Sequence, residues 1–204
     1  MFDKNLHRTI MAEVLKAFYS DSQIGSFLGF KGGTAAYFFY SLPRLSVDLD
    51  FDLLDESKKL MVFESIKKML PQFGEILEAA EKRYTLFFLL RYKFGLRNLK
   101  IEISKRKPIK KYSVKSFMGI PILVGEKDGA LSGKLSAFLT RKEFASRDAF
   151  DLCFFLKESW EIDTEDLKFQ TGLSPKEALN KAIDKTLTIK KVFIKEKLLK
   201  PFKQ

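Results

Sequence analysis

The chain has 204 residues, 46% of them hydrophobic and 21 of them phenylalanine, enough apolar material for one generous domain or two small lobes with a shared core, and it is not a disordered chain. The single cysteine, Cys153, excludes an intramolecular disulfide and a cysteine-based metal centre, and the single histidine, His7, argues against His-based zinc sites and a Ser-His-Asp triad. Lysine and arginine outnumber aspartate and glutamate by 37 to 26, a formal charge of +11, and residues 1–50 are neutral with five charges of each sign. From Arg91 to Lys115 ten basic side chains (Arg91, Lys93, Arg97, Lys100, Lys105, Arg106, Lys107, Lys110, Lys111, Lys115) stand against the single acid Glu102. Such a stripe attracts polyanions, nucleic acid foremost; a solubilising lysine surface is the alternative. No window approaches the ~18 consecutive apolar residues of a membrane span, and the N-terminus lacks the pattern of a signal peptide, so a cytoplasmic location is expected.

Residues 3–20 place Leu6, Ile10, Val14 and Phe18 at four-residue steps, the buried face of an amphipathic helix, with His7 on its flank and expected at the surface. Phe27 to Lys31 reads as a strand ending at Gly32-Gly33, a pair that lets the backbone turn tightly and approach a ligand closely. Thr34 is placed to cap a short helix that Pro43 terminates. In Val47-Asp48-Leu49-Asp50-Phe51 apolar and acidic residues alternate with the period of a half-buried strand, which sets both carboxylates on one face. Residues 56–70 form a helix stopped by Pro71, crossing to the next strand. Residues 83–93 and 99–104 are two strands joined by a turn at Gly95 to Asn98; in the second, Lys100, Glu102 and Ser104 share a face. A lysine-rich connection over 105–116 leads to FMGIPILV, where Pro121 indicates an edge strand or an extended connection.

From Glu126 the pattern is helical to the end, which puts a boundary near Gly125. Leu131, Leu135 and Phe138 line one helix; Ser146 is expected to cap the next, with Asp148 in its first turn. Ser174-Pro175-Lys176-Glu177 combines a serine cap, proline in the first helical position and a capping-box glutamate. The lysines of the last helix (Lys190, Lys191, Lys195, Lys197, Lys200, Lys203) are read as a solvated face, with a nucleic-acid surface or a partner contact as alternatives.

Two carboxylates side by side next to a glycine turn suit a divalent cation, Mg²⁺ or Mn²⁺, because hard cations take oxygen ligands and often combine one or two carboxylates with substrate phosphates. The turn supplies backbone N–H groups at a helix N-terminus, where those phosphates would lie. Asp48 and Asp50 are therefore the first metal-ligand candidates.

Gly32-Gly33 followed by Asp48-x-Asp50 resembles the signature of the DNA polymerase β-like nucleotidyltransferase superfamily. The fuller string Lys31-Gly32-Gly33-Thr34-Ala35, then Arg44-x-Ser46-x-Asp48-x-Asp50-Phe51, is similar to the AbiEii/AbiGii toxin family of nucleotidyltransferases. The fourteen residues between Gly33 and Asp48 exceed the superfamily's usual interval and accommodate the narrower family's Arg-x-Ser insert. The resemblance implies an α+β fold: a nucleotidyltransferase-like N-terminal lobe over residues 1–125, with a small mixed sheet flanked by helices, and a helical C-terminal lobe over 126–204. It also implies a third carboxylate from a neighbouring strand, for which Glu102 is the candidate metal ligand or base, an ordinary exposed glutamate being the alternative. Lys31, Gly32, Gly33, Thr34, Arg44 and Ser46 would bind the triphosphate. The family's Lys-x-x-Ala, Arg and basic-Asp-x-x-Asp elements are matched by Lys134 to Ala137, Arg141, and Arg147-Asp148-Ala-Phe-Asp151. Lys134 and Arg141 would meet phosphate charge and Asp148 and Asp151 would orient them, or the four form a structural ion-pair network.

The implied reaction moves a nucleoside monophosphate from an NTP to an acceptor hydroxyl and releases pyrophosphate. The implied biology is a toxin of a toxin–antitoxin or phage-defence pair, restrained by a separate antitoxin, some members adding nucleotides to tRNA 3′ ends. Transfer to a protein or small molecule, and nucleotide or partner binding without turnover, are the alternatives.

Overall fold

A computed structural model describes residues 2–106 and 111–199. The chain divides into two compact units, Met1–Glu126 and Lys127–Gln204. Lys107 and Lys110 of the expected basic stripe, and Lys200 and Lys203 of the C-terminal run, lie outside the described residues, as do the side chains of Lys190, Lys191, Lys195 and Lys197.

The first unit opens with helix α1 (Lys4–Ser20), whose start is fixed by the Asp3 carboxylate accepting the Leu6 N–H at 3.0 Å. Its buried stripe is His7, Met11, Val14, Leu15 and Phe18, with Leu6 and Ile10 only half-buried, so the inward face is rotated from the expected one. His7 is consequently fully buried, not at the surface. Burial is tolerated because both ring nitrogens have partners: Nε2 lies 2.9 Å from the Val47 carbonyl and Nδ1 2.7 Å from the Tyr92 hydroxyl. A carbonyl only accepts, so Nε2 carries the proton and Nδ1 accepts from Tyr92.

Strand β1 (Leu28–Lys31), helix α2 (Gly32–Phe39), strand β2 (Asp48–Leu53) and helix α3 (Lys59–Met69) follow, then β3 (Glu75–Glu81), β4 (Thr85–Arg91), β5 (Leu99–Ser104), β6 (Tyr112–Phe117) and β7 (Ile120–Gly125). These strands form one mixed sheet in the order β3-β4-β5-β2-β1-β7-β6. The helix after β2 therefore does not deliver the chain to β2's neighbour. It leads to the far edge, and the β3-β4-β5 meander returns to set β5 parallel to β2. On one face Leu28 and Phe30, Leu49, Phe51 and Leu53, Leu86, Phe88 and Leu90, and Leu99, Ile101 and Ile103 pack with Met11, Val14, Leu15 and Phe18 of α1 and Val62 and Ile66 of α3. Each such side chain contributes about 1.5–3 kcal/mol on burial. The alternate residues of β2 and β5 are thereby left on the opposite, polar face.

Two strands are new with respect to the sequence reading. β3 has no clean alternation and carries a register irregularity between Ile76 and Glu78; β6 lies inside the lysine-rich segment read as a connection. β7 is interior, between β1 and β6, so Pro121 does not mark a sheet edge. The proline is accommodated because it sits at the hairpin end, opposite Ser116, three residues before Val124 meets Phe30 of β1. The β1–β7 junction is tied by Tyr19, whose hydroxyl lies 2.6 Å from the Leu28 carbonyl and 3.0 Å from that of Leu123, and accepts the Phe30 N–H at 3.1 Å.

The second unit is helical, as expected: α4 (Lys127–Thr140), α5 (Ser146–Lys157), α6 (Thr164–Thr171) and α7 (Pro175–Leu199), with α4 packed against the other three. Leu131, Leu135 and Phe138 are its buried stripe. Ser146 is the first residue of α5 rather than its cap, a position taken by Ala145 without a side-chain bond. The capping box is formed: the Ser174 N–H reaches Glu177 at 2.8 Å and the Glu177 N–H reaches Ser174 Oγ at 3.4 Å. Lys185 closes α4, donating to the carbonyls of Phe138 (2.7 Å) and Arg141 (2.8 Å). Among the described residues no helix is long and apolar enough to cross a membrane.

Candidate active site

The polar face of the sheet concentrates the sequence-nominated residues of the first unit. β2 contributes Asp48, Asp50 and Asp52; parallel β5 sets Lys100 opposite Asp48, Glu102 opposite Asp50 and Ser104 opposite Asp52; antiparallel β1 sets Lys31 opposite Asp50 and Gly29 opposite Asp52. Directly opposed residues share a face, so three carboxylates of the Asp48, Asp50 and Glu102 set stand together. α2 begins on the same side, immediately after Lys31. It starts at Gly32 with Lys31 in the cap position, three residues earlier than the expected Thr34 cap, and Thr34 is inside it with its hydroxyl bonded to the Asp48 carbonyl, which fastens the helix to the first residue of β2.

The two glycines are demanded by the site itself. Gly32 has φ +79°, and a Cβ there would stand 2.6 Å from Asp50 Oδ2. A Cβ on Gly33 would stand 2.8 Å from Ser46 Oγ and 3.2 Å from Arg44 Nη2. The start of α2 is thus pressed against Asp50 on one side and against the Arg44-x-Ser46 loop on the other. Its first N–H groups have no partners within the helix.

Burial, and next the charge of Asp48, push the Asp50 carboxyl up to about 6, while Lys100 and Lys31 oppose the shift. Burial alone would lower the Lys100 ammonium, but Asp48 and Glu102 hold it above its ordinary value. Lys100 Nζ lies 3.0 Å from Glu102 and 3.5 Å from Asp48. Among the described residues no three acidic, His or Cys side chains converge on a prebuilt metal centre. The donor set nonetheless fits a hard cation: oxygen donors only, on one face, with Asp48 16% and Glu102 33% exposed and a lysine ammonium already bridging two of them.

A sequence model of the family described as nucleotidyl transferase AbiEii toxin, type IV toxin–antitoxin system, matches residues 13–200. The chain belongs to the AbiEii nucleotidyltransferase toxin family. It is a nucleotidyltransferase, and its family places it as the toxin of a pair that includes an antitoxin. Its fold is that of solved nucleotidyltransferases. A putative nucleotidyltransferase of Helicobacter pylori aligns at 24% identity and TM-score 0.57, over 87% of this chain and 80% of that one. JHP933 of H. pylori also gives 24% and 0.57, over 77% and 68%. MenT4, a nucleotidyltransferase toxin of Mycobacterium tuberculosis H37Rv, gives 19% and 0.60, over 81% of this chain and 62% of that toxin. No curated protein sequence matches the chain.

In the helical unit of this AbiEii-family protein the four nominated residues form one cluster. Lys134 Nζ lies 3.0 Å from both Asp148 and Asp151, and Arg141 also binds Asp148. Asp148 and Asp151 are 1% and 0% exposed, whereas Lys134 is 16% and Arg141 46% exposed. In the first unit Lys31 is not loose but bound to Asp52, whose other oxygen takes the Tyr112 hydroxyl. Asp52, Tyr112 and Lys100 were missed by the sequence reading; continuing the alternation from Asp50 to Asp52, and following it through β5 to Lys100, would have found two of them.

Among the described residues the expected basic stripe is not one surface. Arg91 is paired with Glu75, Lys100 with Asp48 and Glu102, and Lys105 with Glu81. Lys111 and Lys115 follow on the far side of β2, β1 and β7 from β5, four strand steps or roughly 19 Å by strand spacing. Sequence neighbours separated by a sheet crossing do not stay neighbours.

Proposed function

We propose that the protein transfers a nucleoside monophosphate from an NTP to a hydroxyl of an RNA acceptor, a tRNA 3′ end foremost, and releases pyrophosphate. It does so in the cytoplasm as a phage-defence toxin held in check by a separate antitoxin. The observation that carries this reading is the row of carboxylates Asp48, Asp50 and Glu102 against which the glycine start of α2 is pressed.

Asp48, Asp50 and Glu102 would hold Mg²⁺ or Mn²⁺, which when bound supplies positive charge to the attacking and leaving oxygens. The first N–H groups of α2, at Gly32, Gly33 and Thr34, would receive the triphosphate, since a helix start presents unpaired donors and the positive end of the dipole. Arg44 and Ser46 lie at the same turn and bring further donors to it. The Thr34 hydroxyl, already bonded to Asp48, holds β2 in place and leaves binding to the Thr34 backbone. Glu102, the most open of the three at 33% exposed, is the third ligand or the group that accepts the proton of the acceptor hydroxyl. We assign the Lys134, Arg141, Asp148 and Asp151 cluster to fixing α4 against α5.

An RNA acceptor is supported by the +11 charge and by a basic aromatic surface where the β3–β4 turn meets the end of β5. There Arg83 and Arg106 stand 4.9 and 4.6 Å from the exposed Tyr84 ring, a combination that suits single-stranded nucleic acid. Dispersal of the linear stripe is the observation that favours the second reading, a protein or small-molecule acceptor. The test is to incubate the protein with Mg²⁺, each labelled NTP separately and total cellular RNA plus protein, beside Asp48→Ala/Asp50→Ala. Label in RNA of tRNA size, lost in the variant, is expected; label in protein or in small molecules instead selects the second reading.

A further inference from the structure

Asp52 is the third acid of the β2 row and is 3% exposed. A carboxylate buried to that degree needs a partner for each oxygen, and it has them: Lys31 Nζ donates to Oδ1 and the Tyr112 hydroxyl to Oδ2. Tyr112 belongs to β6, the edge strand, and its ring must pass β7 and β1 to reach β2. It does so over Gly29, the register partner of Asp52, where a Cβ would stand 2.3 Å from the ring. A glycine inside a strand weakens the strand, and here the sequence carries one because the phenol occupies the space.

Lys31 is the last residue of β1, adjoins Gly32 and is opposite Asp50 in register. A lysine with four rotatable bonds in that position would fall onto the nearest carboxylate, Asp50. Asp52 instead takes the ammonium one pair further along the strand. Asp50 and Asp48 are left to other cations, and the lysine charge is held at a fixed point beside the start of α2.

We infer that Asp52 and Tyr112 are positioning residues for triphosphate binding: together they set the Lys31 ammonium where it meets the nucleotide's phosphates. The inference rests on the triphosphate-binding reading above. Asp52 acts through Lys31, not on the substrate, and Tyr112 acts through Asp52.

A double-mutant cycle tests it. Affinity for the α,β-methylene analogues of the four NTPs is measured by calorimetry with Mg²⁺, alongside thermal midpoints, for the wild type, Asp48→Ala, Lys31→Met, Asp52→Asn, Tyr112→Phe and the doubles with Lys31→Met. Expected are binding by the wild type and a loss of roughly tenfold in Lys31→Met and Asp52→Asn, as for a charge-assisted contact, with a smaller loss in Tyr112→Phe. Neither Asp52→Asn nor Tyr112→Phe should weaken binding further once Lys31 is methionine. Should Asp52→Asn fail to fold, Tyr112→Phe, which removes one oxygen, carries the same cycle. Unchanged affinity in Tyr112→Phe and Asp52→Asn overturns the inference, as does a loss that persists undiminished on the Lys31→Met background. Absence of analogue binding by the wild type overturns the triphosphate reading itself, and this inference with it. Wild-type binding that depends on Asp48 while the cycle fails overturns the inference alone.

Discussion

The two units each gather carboxylates around a lysine, and they do so to different ends. In the helical unit Asp148 and Asp151 are closed off and Lys134 sits 3.0 Å from both, so the charges satisfy one another. On the sheet face Asp48 and Glu102 are partly open, Lys100 bridges them at 3.5 and 3.0 Å, and Asp50 is pressed by a helix start that admits only glycine. The same residue types thus make a strut where burial and pairing are complete, and a candidate working site where partly open carboxylates stand against a glycine helix start. Composition does not distinguish the two; exposure and pairing do.

The comparison is broken most severely at Asp50. Asp50→Asn is expected to lower nucleotidyl transfer by about 10³-fold or more, as loss of some 4 kcal/mol of transition-state stabilisation would. Stability should move the other way. The folded carboxyl titrates near 6, above its ordinary 3.8, so the folded state binds the proton more tightly than the unfolded state. Metal-free wild type should therefore lose stability as the pH rises from about 4 to about 6, by on the order of 1–3 kcal/mol, and Asp50→Asn should not. Chemical denaturation with a chelator present, at a series of pH values, reads this directly.

Next in size is Asp148→Ala, which leaves Lys134 with one partner and Arg141 with none at that position. Breaking a buried pair costs about 3–5 kcal/mol, or roughly 10 °C in thermal midpoint for a chain of this length. The expected result is a protein that unfolds early but, below its midpoint, retains most of its transfer rate per folded molecule. An inactive but stable Asp148→Ala would move this cluster from strut to site.

The smallest effect is at His7. Burial holds its imidazole below the ordinary 6.5, so the unfolded state takes up the proton first. The stability this represents is complete above pH 6.5 and is lost as the pH falls below it. A His7→Asn variant, compared by denaturant midpoint between pH 5 and 7.5, should show a shallower slope than the wild type.

The glycine pair and the Asp48-x-Asp50 alternation were legible because both are local: a turn that tolerates no Cβ and a strand period of two announce themselves within twenty residues. Glu102 was legible as a face of its own strand, but its place beside Asp50 depends on a meander that the chain order conceals. Tyr112 was hidden for a stronger reason. Its partner Asp52 is sixty residues away, and its strand runs through a lysine-rich segment whose composition suggests a connection. His7 was misplaced because a four-residue spacing fixes the apolar stripe only to within a residue or so, and the stripe that packs includes positions 7, 11 and 15. The basic stripe failed for a topological reason, since the chain leaves β5 and re-enters the sheet at its other edge.

The most direct test of the central claim, nucleotidyl transfer at the Asp48, Asp50 and Glu102 face, uses the same NTP labelled in parallel at the α- and the γ-phosphorus, with wild type and Glu102→Gln. The account predicts α-label covalently attached to the acceptor, γ-label recovered as pyrophosphate, and both yields falling together in the variant. Label transferred from the γ-position, or full transfer by Glu102→Gln, would contradict it.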